Sequence, residues 1–350
     1  MNMSFYKGKR VLVTGHTGFK GTWLTKILVN AGAEVLGYSR CSEKKQSLFA
    51  LSGVEKEITH VKGYIQDYDY LYSVIQDFQP EIIFHLAAQP LVRKSYADPL
   101  ETYGTNIIGT LDVLECIRHT PSVKSTVIIT TDKVYRNNEW RWGYRENDAL
   151  DGFDPYSNSK SCAELVVASY KRSFPVMPPI STARAGNVIG GGDFAKDRII
   201  PDCVRAVSKG KPIIVRNPHS VRPYQHVLEP LFAYLLIAER QAENPALAAS
   251  YNIGPEERDC VTNGELVSLF CEKWGDGARW IDKSEPNAPH EADFLKLDCS
   301  LIKSALGWQP KWSISDAVEM VTRFEKLRLS GGNIIAEMDA EIEAYQEKAF

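Results

Sequence analysis

The stretch VTGHTGFKGTWL, residues 13–24, constrains this chain more than any other. A short apolar run, RVLVT, enters a turn carrying Gly15, Gly18 and Gly21, and a helix-forming run leaves it. Glycines at that spacing permit a tight turn, close approach of the backbone to a ligand, and close packing of helix on strand. The first N–H groups of the helix then face the turn with their positive dipole end, which suits a pyrophosphate. A dinucleotide-binding α/β fold is therefore expected, with Thr17 and Phe19 among the turn residues beside the ligand.

The first half of the chain keeps that rhythm. Residues 34–39, 81–87 and 124–131 read as strands, and 22–32, 70–78, 105–119 and 156–174 read as helices. Short Val/Ile/Leu runs separated by helices predict a doubly wound, Rossmann-type parallel sheet covered on both faces. From about residue 184 the pattern loosens at GNVIGGGD (186–193) and RNPHSVRPYQHV (216–227), then returns in a helix near 226–241 and a strand at 250–254. The expected division is residues 1–183 plus about 221–257 for the dinucleotide. Residues from about 184–220 and 258–350 would form a smaller, discontinuous substrate unit.

Bulk properties exclude several classes. With 350 residues and a net charge of −3, the chain has no electrostatic footprint for nucleic acid or an anionic membrane. The apolar run at 231–239 is too short to span a bilayer. The first residues run directly into a strand without an apolar leader, so a cytoplasmic protein is expected. Seven cysteines, odd in number and never spaced as CxxC, read as reduced thiols; the histidines are equally dispersed, and no metal site is expected.

The chemistry is concentrated in two segments. IITTDKVYRN (128–137) runs from an apolar strand into Thr131, Asp132 and Lys133. DPYSNSKSCAEL (154–165) places Tyr156 and Lys160 four residues apart at a helix start, hence on one face. A free tyrosine titrates near about 10, and a neighbouring ammonium favours its phenolate. Tyr156 is thus expected to take a hydroxyl proton while a dinucleotide accepts hydride from the same carbon. Asp132 and Lys133 extend that site by a general acid and a general base. An alcohol oxidation alone needs neither, whereas an elimination next to a carbonyl needs both.

The GxxGxxG turn and the Thr131, Tyr156, Lys160 set resemble the extended short-chain dehydrogenase/reductase superfamily. The resemblance implies NAD as cofactor. Gly15, Thr17, Gly18, Phe19 and Gly21 would lie at its phosphates, Ser39 and Arg40 at the end of the second strand, and Asp67 with Tyr68 at the adenine. Leu86, Ala87, Ala88 and Thr130 would line the adenosine and nicotinamide walls, and Lys160 would hold the nicotinamide ribose. Arg40 stands where an NAD enzyme often has a carboxylate, which leaves NADP open.

Within that superfamily, Thr131-Asp132-Lys133 resembles the nucleotide-sugar 4,6-dehydratases, in the branch that acts on CDP-glucose. The reaction implied is oxidation at C4, removal of the C5 proton by Lys133, and protonation of the departing C6 hydroxyl by Asp132. Hydride then returns to C6, and the product serves deoxysugar synthesis for surface polysaccharide. The same resemblance places Gln89, Asn187, Arg198, Arg222 and His290, with Glu291, at the nucleotide sugar. It makes Asn106 a shaper of the active-site helix. It also implies a homo-oligomer, dimer or tetramer, built on the helices at 105–119 and 156–174. A nucleotide-sugar 4-epimerase, which needs no acid–base pair beyond the threonine, stays open as an alternative. So does a non-catalytic dinucleotide sensor, although Tyr156 and Lys160 are both present. The acidic tail, residues 333–350, reads as a helix with either a partner or solvent around it.

Overall fold

A computed structural model describes residues 2–40, 47–284 and 294–348 of the chain. His290 and Glu291 lie outside the described residues. Strands β1 (Arg10–Thr14), β2 (Glu34–Ser39), β3 (Thr59–Lys62), β4 (Ile82–His85), β5 (Ser125–Ile129) and β6 (Ile180–Ala185) join Ser250–Ile253 in one sheet. The spatial order is Ser250–Ile253, β6, β5, β4, β1, β2, β3, and every pairing in it is parallel. The winding direction reverses between β1 and β4, where Val11 pairs with both Val35 and Ile82. A reversal of this kind opens a crevice beyond the carboxyl ends of the strands.

Both faces of the inner sheet are buried, which is why β1, β4 and β5 read as apolar runs rather than as alternations; the edge strand β3 is partly exposed. Leu12, Ile83 and Ile128 face the helices Tyr68–Phe78 and Gly109–Arg118 through Leu71, Ile75, Val113 and Ile117. Val11, Val13, Phe84 and Val127 face the opposite layer. There α1 (Phe19–Asn30) contributes Trp23, Leu24 and Ile27, and the helix Leu228–Glu243 contributes Leu231 and Leu235. Each such side chain, fully buried, contributes about 1.5–3 kcal/mol.

A separate core gathers parts of the helices Ile199–Val207, Asn263–Trp274 and Ile314–Leu329 around Cys203, Phe270 and Val321. Small two-stranded pairings stitch it to the chain leaving β6: Val188–Ile189 with Gln225–His226, and Ile213–Val215 with Trp280–Asp282. The acidic tail packs one face of a helix against the protein. Its helix, Ile334–Glu347, buries Ile334, Met338, Ile342 and Tyr345 in the core under the sheet. The Tyr345 hydroxyl donates to Glu229 Oε2 at 2.6 Å, and burial pushes the Glu229 carboxyl up to about 7. An apolar residue every three or four positions gives this helix one stripe for the protein; Glu343 and Glu347 are exposed, while Glu341 is buried with the stripe, its Oε2 3.5 Å from His226 Nε2. Among the described residues no helix is long and apolar enough to cross a membrane.

Candidate active site

The carboxyl ends of the strands and the second core enclose one cleft of ≈ 2020 Å³. Its deep end is the glycine turn. Gly15 has φ +75, and a Cβ there would stand 2.7 Å from Ala87 N; a Cβ on Gly21 would stand 2.2 Å from Gly15 O. Side chains are thus kept out of the place where strand, turn and helix meet. Helix α1 starts at Phe19 behind Gly18, and no side chain caps its first N–H groups. Thr17 Oγ1 and Ser39 Oγ are 2.8 Å apart, joining the turn to the end of β2. Uncapped donors behind a turn with no room for side chains fit the diphosphate of a dinucleotide.

Other expected cofactor residues divide. Gly15, Thr17, Gly18, Phe19, Gly21, Ser39, Arg40, Leu86, Ala87, Ala88 and Thr130 all line the cleft. Arg40 Nη1 pairs with Glu101 Oε1 at 2.6 Å, so part of its charge is already answered. Asp67 and Tyr68 are not among the lining residues; Ile65 and Gln66, just before them, are. Asp67 caps the helix Tyr68–Phe78, its Oδ1 accepting from Tyr70 N at 3.2 Å. That capping bond engages one oxygen of the carboxylate.

The catalytic end is built by β5 and the helix Pro155–Ser173. The helix begins cleanly because Asp154 accepts from Ser157 N at 3.0 Å and Pro155 occupies the first turn. Tyr156 and Lys160 then share the face toward the end of β5. Lys160 Nζ donates to the Ile129 carbonyl at 2.9 Å, and the Thr131 side chain favours the Tyr156 phenolate. Thr131 Oγ1 donates to Asp132 Oδ1 at 2.9 Å and accepts from Lys133 N at 3.4 Å, which turns the chain into a short 3₁₀ segment. Asp132 is buried, and its Oδ2 has no hydrogen-bond partner among the described residues. Thr131, Asp132, Lys133, Tyr156 and Lys160 all line the cleft.

The electrostatics differ from the simple expectation for a tyrosine beside an ammonium. Burial pushes the Tyr156 phenol up to about 12, against the pull of the Thr131 side chain. Burial also draws Lys160 down to about 8, against the opposing charge of Glu164. In the protein alone desolvation outweighs the lysine, whose amine is engaged by a backbone carbonyl.

At the substrate end Gln89, Asn187, Arg198 and Arg222 line the cleft. Gln89 is a scaffold as well: its Oε1 accepts from Leu91 N at 2.7 Å and its Nε2 donates to Thr102 Oγ1 at 3.0 Å. Asn106 Nδ2 bonds the Gln89 carbonyl at 3.1 Å and Ser159 Oγ at 2.8 Å, locking this wall to the active-site helix. Arg198 Nη1 pairs with Asp193 Oδ2 at 2.8 Å. Arg222 is buried, with Nη1 donating to the Val221 carbonyl at 2.9 Å.

Sequence reasoning passed over Lys20, which lines the same cleft. Its Nζ donates to Tyr234 Oη at 3.0 Å, and burial, then the charges of Lys160 and Arg198, draw it down to about 7. A lysine inside a glycine turn was the available signal. His85 at the end of β4 was passed over too; its Nδ1 lies 2.7 Å from Thr14 Oγ1, and burial holds its imidazole neutral, down to about 3.

The family model described as GDP-mannose 4,6 dehydratase matches residues 12–321. The CDP-glucose 4,6-dehydratase of Salmonella typhimurium is 44% identical, over 99% of this chain and 98% of its own length. The dTDP-glucose 4,6-dehydratase of Haemophilus influenzae is 27% identical, over 90% of this chain and 97% of its own. The solved dTDP-glucose 4,6-dehydratase of Bacillus anthracis, in complex with NAD, superposes with a TM-score of 0.78 at 21% identity, covering 94% of this chain and 100% of that one. At that identity the superposition establishes the fold.

Proposed function

The chain belongs to the GDP-mannose 4,6-dehydratase family, and from that premise we propose that it dehydrates CDP-D-glucose to CDP-4-dehydro-6-deoxy-D-glucose with NAD as resident cofactor. The observation that carries this reading is the gathering of Thr131, Asp132, Lys133, Tyr156 and Lys160 at one end of the dinucleotide cleft. The CDP-glucose dehydratase of Salmonella typhimurium, similar over nearly the full length of both chains, supports the choice of substrate.

NAD, held by the glycine turn and the walls at Ala87 and Thr130, supplies a hydride acceptor for C4 and a hydride donor for C6. Tyr156 takes the proton of the C4 hydroxyl, with the Thr131 side chain favouring its phenolate. A ketone at C4 makes the C5 proton acidic, and the Lys133 amine removes it. Asp132 delivers a proton to the departing C6 hydroxyl; its Oδ2 atom, buried without a hydrogen-bond partner among the described residues, is the one available for that transfer. Lys160 holds the nicotinamide ribose. Arg222 and Asn187 grip the diphosphate end, where a planar guanidinium matches phosphate oxygens.

The protein works in the cytoplasm as a homo-oligomer, with Ile108 and Leu165 exposed along the segments expected to form the contact. Incubation with CDP-, dTDP-, UDP- and GDP-glucose, without added reductant, tests the reading. CDP-glucose is expected to lose the mass of one water. A CDP-glucose sample unchanged in mass refutes the proposal.

A further inference from the structure

We propose that Glu164 is a positioning residue for this reaction: its buried carboxylate fixes the Thr130–Asp132 stretch and gives the Lys160 amine an anionic neighbour. The inference rests on the dehydration proposed above. Glu164 follows Lys160 by four positions and Tyr156 by eight on the helix Pro155–Ser173, so the three share a face. Each meets the end of β5 differently. Tyr156 is influenced by the Thr131 side chain, Lys160 bonds the Ile129 carbonyl at 2.9 Å, and Glu164 Oε1 accepts from Thr130 Oγ1 at 2.5 Å.

The other Glu164 oxygen reaches across the sheet. Oε2 accepts from Thr182 Oγ1 at 2.7 Å and from Arg184 Nη2 at 2.8 Å, both on β6, and from Ser250 Oγ at 3.4 Å on the next strand. Arg184 in turn donates to Tyr135 Oη and to the Glu146 carbonyl, both at 2.9 Å. A buried carboxylate that accepts from three hydroxyls and a guanidinium is a fixed point rather than a mobile group. Burial alone would raise its carboxyl, but Arg184 and the two threonines outweigh that and hold Glu164 below the usual carboxylate value.

The charges around Lys160 come from several elements. Its charge is felt by Lys20 on α1 and His85 on β4, and Tyr156 and Glu164 share its helix. His85 is held neutral by burial, and Lys20 is of like sign. Glu164 opposes the burial that pulls Lys160 down. Lys160 acts as a cation, so its contribution is present below its own titration and lost as pH rises through it. Removing the Glu164 charge moves that loss to lower pH.

The test compares wild type, Glu164→Gln, and Glu164→Gln with Arg184→Met, the last avoiding an unpaired buried guanidinium. Two profiles are measured against pH: kcat for water loss from CDP-glucose, and competitive acetylation of the Lys160 amine read by mass spectrometry. The upper-pH limb of kcat and the labelling midpoint should both move down by about one unit, the size an opposite charge a few ångströms away produces. A folded variant, single or double, whose two midpoints coincide with wild type overturns the inference, because a purely structural Glu164 would change folded yield and leave both midpoints in place. A wild type that does not dehydrate CDP-glucose refutes the function instead, and the labelling midpoints then decide the role of Glu164 alone.

Discussion

Replacing Asp132 by asparagine isolates the elimination step. The asparagine carbonyl keeps the position of Oδ1, which accepts from Thr131 Oγ1 at 2.9 Å. The new amide nitrogen takes the place of Oδ2, an atom that already has no partner among the described residues. No protein hydrogen bond is lost, so folding stability should change by about 1 kcal/mol or less. What disappears is the transferable proton. A positioned general acid is worth roughly 10²–10⁴ in rate, and at 1.36 kcal/mol per decade the barrier to water loss should rise by about 3–5 kcal/mol. Oxidation at C4 does not use this carboxyl, so it should proceed. The variant, mixed with CDP-glucose, should therefore accumulate reduced nicotinamide absorbance while product formation stalls. Turnover within about tenfold of wild type would refute the assignment of Asp132 as the acid.

Tyr156→Phe removes only the phenolic oxygen; it should abolish reduction of the cofactor by CDP-glucose yet leave NAD affinity within about threefold in a binding titration, since no cofactor contact depends on proton transfer. A large loss of NAD affinity would give the tyrosine a different role. Gly21→Ala would force a Cβ to 2.2 Å from Gly15 O and 2.7 Å from His16 Cα, both backbone atoms; about 1–3 kcal/mol of strain is expected, read as a lower Tm together with weaker NAD binding, and unchanged values for both contradict the close packing of the turn. His85→Gln addresses acid stability. Folded His85 titrates near about 3 because it is buried, whereas an unfolded histidine titrates near 6.5, so unfolding takes up a proton between those values and the stability present above pH 6.5 is lost as pH falls. The variant's stability should fall less steeply across that window, by about 1.4 kcal/mol per pH unit, in denaturant titrations. An unchanged slope contradicts it.

Much of this architecture is legible in the chain because its physics is local. RVLVT followed by three spaced glycines yields β1, an uncapped turn and α1, and the apolar runs that read as strands are the ones the sheet buries on both faces. Tyr156 and Lys160 share a face because of helical spacing and because Asp154 and Pro155 set the helix start. Competition between local and distant partners hid other features. Asp67 precedes a helix and caps it through Tyr70 N, a second use for its carboxylate that only the fold shows. Gln89 reads as a polar residue at a strand end, and only the fold shows its amide spent on Leu91 and Thr102. Lys20 and Glu164 gain their environment from Tyr234, Thr182 and Arg184, residues far away in the chain that nothing in their own segments announces. The tail's stripe, Ile334, Met338, Ile342 and Tyr345, was visible as a period, but its destination beneath the sheet was not.

The path of a single hydrogen tests the central claim most directly. CDP-glucose carrying deuterium at C4 is converted by the protein with bound NAD, and the product is examined by mass spectrometry and NMR. The account predicts that the deuterium reappears at C6 of the same sugar, because the hydride taken at C4 is returned within one active site. Deuterium released to the medium, with solvent hydrogen at C6, would contradict it.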